Sequence, residues 1–186
     1  MKLYFVLAAI VVMSGPVFAE GDVFGGRSGW IDASGRPIAN ADDRKSVDGF
    51  AGALFVTGDP DWYAKWNTPP EIVPHLGEVH EIKRGDKIAT LILVANPLPS
   101  EDGTLSVLCD LLITRPDGSK SVDATGVDCL SGPMKGSPTL VRLAQPVLEF
   151  VAEPNDLPGV WRTQVTLRDL NSGKTMTLHT AVTLHE

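Results

Sequence analysis

From Phe50 onward the chain alternates short apolar runs with turn chemistry. The run Phe50 to Thr57 reads as the first firm strand, and Lys87 to Ala95, Thr104 to Thr114, Pro146 to Ala152, Val160 to Arg168 and Lys174 to His185 follow, each of strand length and rich in Val, Ile, Leu and Thr. Within Val160 to Arg168, Trp161, Thr163, Val165 and Leu167 share one face while Arg162, Gln164, Thr166 and Arg168 share the other, the pattern of a sheet half in water. The last strand buries Met176, Leu178, Val182 and Leu184 and turns His179 and His185 toward solvent. Arg115-Pro116-Asp117-Gly118-Ser119 and Asp169-Leu170-Asn171-Ser172-Gly173 carry tight-turn residues and predict hairpins.

One strand breaks the alternation. Ile88-Ala-Thr-Leu-Ile-Leu-Val-Ala95 is apolar on both faces, and a second sheet covers only one of them. The remaining face, drawn as Ile88, Thr90, Ile92 and Val94, needs a cover. The short helix expected over Asp61 to Trp66, the N-terminal arm or a partner subunit would supply it. That helix is read from Asp59 as cap, Pro60 at the first helical position and a stop at Asn67-Thr68-Pro69-Pro70.

The N-terminus obeys different rules. Lys2, the apolar run Leu3 to Met13, Gly15-Pro16 and Val17-Phe18-Ala19 form the pattern of a secretory signal peptide cut after Ala19. The run falls short of the roughly 20 residues that span a bilayer. Residues 1–19 are therefore expected to be removed, 20–48 to form a glycine-rich arm or loose hairpin pinned by Trp30, and 49–186 to form one β-sandwich domain. Export to the periplasm or medium, with no membrane insertion after cleavage, is the expected address.

Charge and cysteine content narrow the function classes. The 186 residues carry 16 basic and 23 acidic side chains, a net charge of −7. That field repels phosphate backbones, so nucleic acid is excluded as a partner. Cys109 and Cys129, an even pair in an oxidising compartment, are most simply one disulfide. A pairing of Arg115 with Ser119 sets Cys109 opposite Thr125, with Cys129 about 13 Å further along, so the bond requires a kink near Ala124-Thr125-Gly126.

The stretch Asn155-Asp156-Leu157-Pro158-Gly159-Val160-Trp161, continuing through Val165, Leu167, Asp169 and Gly173 to Val182 and Leu184, resembles the closing hairpin of immunoglobulin-like domains. The resemblance implies an all-β, immunoglobulin-like antiparallel β-sandwich, here with one short helix and an N-terminal arm. It is a fold used for adhesion, assembly and protein or carbohydrate binding in exported bacterial proteins, and it implies no activity. The chain departs from the pattern twice. Trp161 stands where the tyrosine corner has tyrosine, so that corner's side-chain-to-backbone hydrogen bond is not carried over, and the two cysteines sit in neighbouring segments rather than on facing sheets.

Candidate chemistry is sparse. Trp62 and Trp66, four apart, share a helix face and are either packing for the helix or a platform for a protein or glycan. His75, Glu78, His80 and Glu81 cluster in sequence without the His-Glu-x-x-His order of a helical zinc site. Asp169-x-Asn171-x-Gly173 has the spacing of a calcium loop but lacks its downstream glutamate. No Gly-x-Ser-x-Gly or phosphate-cradling loop occurs. The chain is thus expected to be a non-enzymatic binding or assembly module for a protein or glycan partner, with no cofactor and no metal. The alternatives are a periplasmic metal-handling or hydrolytic protein built on His75, Glu78, His80 and Glu81, and an inhibitor presenting Thr68 to Leu76 or Ser131 to Pro138 to an extracellular enzyme.

Overall fold

The structure, a computed structural model, describes residues 29–31, 36–68 and 76–186, together with the backbone of 4–7. The Ala19 junction, arm residues 20–28 and 32–35, and loop residues 69–75 with His75 lie outside the described residues. In chain order the elements are β1 (Tyr4–Leu7), β2 (Arg44–Val47), β3 (Phe50–Thr57), α1 (Trp62–Trp66), β4 (Glu81–Ile82), β5 (Lys87–Ala95), β6 (Thr104–Thr114), β7 (Lys120–Pro133), β8 (Arg142–Leu143), β9 (Pro146–Val151), β10 (Gly159–Asp169) and β11 (Lys174–Leu184).

They form two sheets that do not close into a barrel. The first runs β1-β9-β5-β3-β2, with β8 also on β5; the second runs β4-β11-β10-β6-β7. The inward residues interdigitate as one core: Phe50, Leu54 and Val56 of β3 and Ile88, Ile92 and Val94 of β5 meet Val107, Leu111, Val165, Leu167 and Leu178 of the second sheet. The alternation expected for β10 and β11 holds, with Trp161, Val165, Leu167, Met176, Leu178, Val182 and Leu184 buried and both histidines exposed. At Gly52 the sheets approach so closely that an added Cβ would lie 2.5 Å from Leu167 Cδ1 and 3.0 Å from Met176 Sδ.

Strands β2 and β7, like the short β1, β4 and β8, lie beyond the strands read from the sequence. The last residues of the expected arm form β2, which pairs antiparallel with β3 from Arg44↔Ala53 to Val47↔Phe50. The connecting residues Asp48 (φ 47°) and Gly49 (φ 90°) adopt the left-handed backbone of a tight hairpin. Trp30 does pin this region: its indole N–H lies 3.2 Å from the Gly52 carbonyl and 3.3 Å from that of Lys45. The long strand β7 completes the hairpin set by the turn at Arg115 to Ser119, where Arg115 N–H donates to Ser119 O at 2.8 Å.

The cysteine geometry follows from irregularity in that hairpin. The β6–β7 register slips between Ile113 and Thr114, between Cys109 and Leu111, and between Val107 and Leu108, so that Cys109 faces Val127 rather than Thr125. Gly126 takes φ 66° at the middle slip, and Asp110 Oδ1 fixes it by accepting Gly126 N–H at 2.8 Å and Arg168 Nη2 at 2.8 Å. The bulge at Gly126 is the kink that the bond required near Ala124-Thr125-Gly126. Cys109 and Cys129 are disulfide-bonded with Cα atoms 5.7 Å apart, inside the core. Closing a loop of this length restricts the unfolded chain by about 3 kcal/mol.

The second hairpin turn is a buried brace. The Asp169 carboxylate accepts Leu98 N–H at 2.9 Å and Ser172 Oγ at 2.6 Å, while Asn171 Nδ2 donates to the carbonyls of Leu98 and Thr104. Its oxygens are thus occupied by protein donors, as the turn reading requires. At the opposite end of β10 the expectation about the corner is overturned. Trp161 Nε1–H donates to Leu157 O at 3.0 Å, so the indole supplies a side-chain-to-backbone bond that tyrosine was thought necessary to make. Phe150 packs on the same ring at 5.1 Å.

The close approach at Gly52 yields a direct test. Gly52→Val should destabilise the fold by about 1–3 kcal/mol through overpacking against Leu167 and Met176. Chemical denaturation measures it, and an unchanged midpoint would contradict the sheet spacing.

Candidate functional site

Outside the main core, Trp62 of α1 packs with Ala89 and Leu91 of β5 and Val147 of β9, flanked by Phe55, Leu76, Leu93 and Leu143. The helix therefore covers the second face of β5, as one of the expected arrangements had it. The faces are exchanged relative to expectation: Ile88, Ile92 and Val94 point between the sheets, and Ala89 and Leu91 lie beneath the helix. Five residues of helix have little stability of their own, so the docking of Trp62 holds this turn in place.

The helix start also differs in detail. Asp61 occupies the N-cap position without a side-chain capping bond. Asp59 instead accepts Asp61 N–H at 3.0 Å and binds Lys65 Nζ, tying the entry of the turn to its exit. The Lys65 hydrogen bond, followed by that from the Asp61 backbone, holds the Asp59 carboxyl below the ordinary carboxylate range.

Between this helix and β4, β5 and β9 lies a groove of about 550 Å³, lined by Asp59, Trp62, Glu81, Asp86, Lys87 and Glu149 among others. Lys87 Nζ lies 3.2 Å from Glu149 Oε2, and Asp86 Oδ2 accepts Lys83 N–H at 2.9 Å. The acidic groups outnumber the one lysine of this set, so the groove attracts cationic or hydroxyl-rich surfaces and repels anions.

Of the two tryptophans singled out from sequence, Trp62 is only 8% exposed and belongs to the helix packing, while Trp66 is half-buried. The exposed aromatic of the helix is Tyr63, at 46%, set edge-on to Trp62 at 5.5 Å. Sequence reasoning passed over it because helical spacing paired the two indoles and left the ring between them unremarked.

The histidine and glutamate cluster is drawn apart by strand geometry. Residues 78–82 cross from the first sheet to the second: Thr57 bridges to Glu78, and Glu81 and Ile82 then pair parallel with Thr183 and Leu184. His80 Nε2 lies 3.7 Å from Glu78 Oε1, and His185 Nε2 lies 3.5 Å from Glu81 Oε2, as two separate solvent-facing pairs. Among the described residues no three histidine, cysteine or acidic side chains assemble as a metal site. The second loop considered for an inhibitor is braced from within: Arg142 donates to the carbonyls of Lys135, Ser137, Pro138 and Leu140.

No known family pattern matches the chain, and no curated protein is similar to it in sequence. Among solved structures, a family 123 glycoside hydrolase from Clostridium perfringens, studied for glycolipid glycan hydrolysis, is similar at a TM-score of 0.36 and 10% identity. The match covers 73% of this chain and 27% of that one.

Two outcomes follow from this geometry. Trp62→Ala should cost about 3 kcal/mol and release α1, read as dye binding to the exposed Leu91 and Val147 surface. Because the Asp59 pKa is lowered in the folded state, its link to Lys65 stabilises the helix above the unfolded carboxylate pKa of about 3.9 and is lost as pH falls through the folded value. Tryptophan fluorescence should report the helix loosening on acidification, and Asp59→Asn should flatten that transition.

Proposed function

We propose that this chain is an exported, non-enzymatic binding or assembly module, an immunoglobulin-like sandwich that meets a protein or glycan partner at the groove beside α1. The observation that carries the proposal is the groove itself, a concave acidic surface whose floor is stabilised by Trp62 and whose lining presents Asp59, Glu81 and Asp86. Concave sites with a few convergent polar groups on a packed apolar base are the usual form of a recognition surface. Two of its carboxylates are engaged by lysines, Asp59 by Lys65 and Glu149 by Lys87, and Asp59 is held ionised. This favours electrostatic contact with a partner at the groove.

Export is supported by the leader pattern of residues 1–19 and by the buried disulfide, a bond of oxidising compartments. No helix among the described residues is long and apolar enough to cross a membrane.

Site-specific photocrosslinking in bacteria tests both parts. The chain recovered from the periplasm should begin at Glu20 by mass. A crosslinker at Glu81 or Lys87 should capture one discrete partner that the same group at Asp123, on the opposite sheet edge, does not. Recovery from the cytoplasm with residues 1–19 attached would sink the export half. Identical products at all three positions would sink the groove.

A further inference from the structure

We infer that the outer edge of β9 is a strand-acceptor site, which in the exported protein takes an extended apolar segment of a protein partner as an added antiparallel strand. The inference rests on the proposed removal of residues 1–19 and specifies the partner of the groove already described.

In the full chain the backbone of Tyr4–Leu7 occupies this edge as β1, in register from Tyr4↔Glu149 to Leu7↔Pro146. Those four residues fall inside the leader. Its removal leaves β9 paired on one side only, to β5 through Lys87–Thr90. A row of unpaired N–H and C=O groups then faces outward, the template on which β-addition is built.

The other terminal strands are guarded against such pairing. Edge strand β7 is bulged along its length and carries Lys120, Asp123, Asp128 and Pro133. Strand β2 is four residues long with Arg44 and Lys45, and β4 is only two residues long. In β9 the one charged side chain, Glu149, is tied back to Lys87, and Val147 and Leu148 are 1% and 2% exposed with β1 in place. An edge this apolar is normally covered.

Register dictates the occupant's chemistry. A residue opposite Val147 or Glu149 shares the outer face with the α1 groove, and one opposite Leu148 shares the face of the inter-sheet core. The incoming strand therefore needs an apolar residue opposite Leu148, while a basic or hydroxylated residue suits the place opposite Glu149. Glu149 also lines the groove, so the seated strand runs along its rim and both form one surface. A second copy is the poorer occupant: without Lys2 of the leader it keeps 15 basic against 23 acidic side chains and so brings another net charge of −8, together with a second Pro146, which has no N–H to give the ladder.

The probe is a synthetic peptide with the sequence of Tyr4–Leu7 between pairs of lysines, titrated into protein exported and processed by cells. Binding should saturate, and amide exchange should slow about tenfold at those alternate positions of residues 147–149 whose N–H groups point away from β5. N-methylation of alternate peptide amides should abolish binding in one register and spare it in the other, since only one set of N–H groups faces β9. Absence of saturable binding, protection elsewhere than β9, or a processed protein that is already dimeric with this edge protected would overturn the inference. A failed titration on a chain that begins at Glu20 leaves export standing. A chain that retains residues 1–19 keeps its own strand on the edge and overturns export and acceptor together.

Discussion

Strand β5 has no polar side, and the layering of the molecule answers that fact. Ile88, Ile92 and Val94 demand a second sheet, which β6, β10 and β11 provide, while Ala89 and Leu91 demand a cover on the other side, which Trp62 provides. An apolar strand left open on either face would expose surface that costs roughly 25 cal/mol for each Å² kept in water. A helix too short to be stable alone is thus recruited as a lid, and the groove beside it is a by-product of that recruitment.

The same economy governs the edges. Strand β7 is long, and its regular pairing with β6 is interrupted by bulges that also bring Cys129 within reach of Cys109. Asp110 stabilises the bulge at Gly126 through its acceptor oxygens, and Arg168 neutralises the charge this places on the outer face. A lowered Asp110 pKa, caused first by the Arg168 hydrogen bond, is the electrostatic record of that arrangement. Disulfide, bulge and ion pair therefore form one device that shapes an edge against further pairing, whereas β9 carries no comparable device.

The groove draws its character from two sources of different reliability in the sequence. Its acidity is visible in composition, because Asp59, Glu81, Asp86 and Glu149 belong to a chain of net charge −7. Its location is not, because those residues are up to 90 positions apart and meet only where β4, β5, β9 and α1 converge. Asp86 and Glu149 went unremarked for that reason. The histidine cluster shows the opposite case: Glu78, His80 and Glu81 lie close in sequence, yet Glu78 keeps to His80 while the crossing between sheets turns Glu81 to His185.

Local pattern by itself determined the long strands other than β7, both hairpin turns, the helix α1 and the inward faces of β10 and β11, since alternation, turn residues and proline act over a few neighbouring positions. The Asp48-Gly49 turn was equally local and marks β2, yet the polar composition around it obscured the strand. Tertiary structure alone decided which face of β5 meets the helix and the full set of register slips that brings Cys129 to Cys109, of which the sequence required only a kink near Gly126. Both depend on how separate segments settle against one another, and an isolated strand or an even ladder holds no record of the partner that completes it.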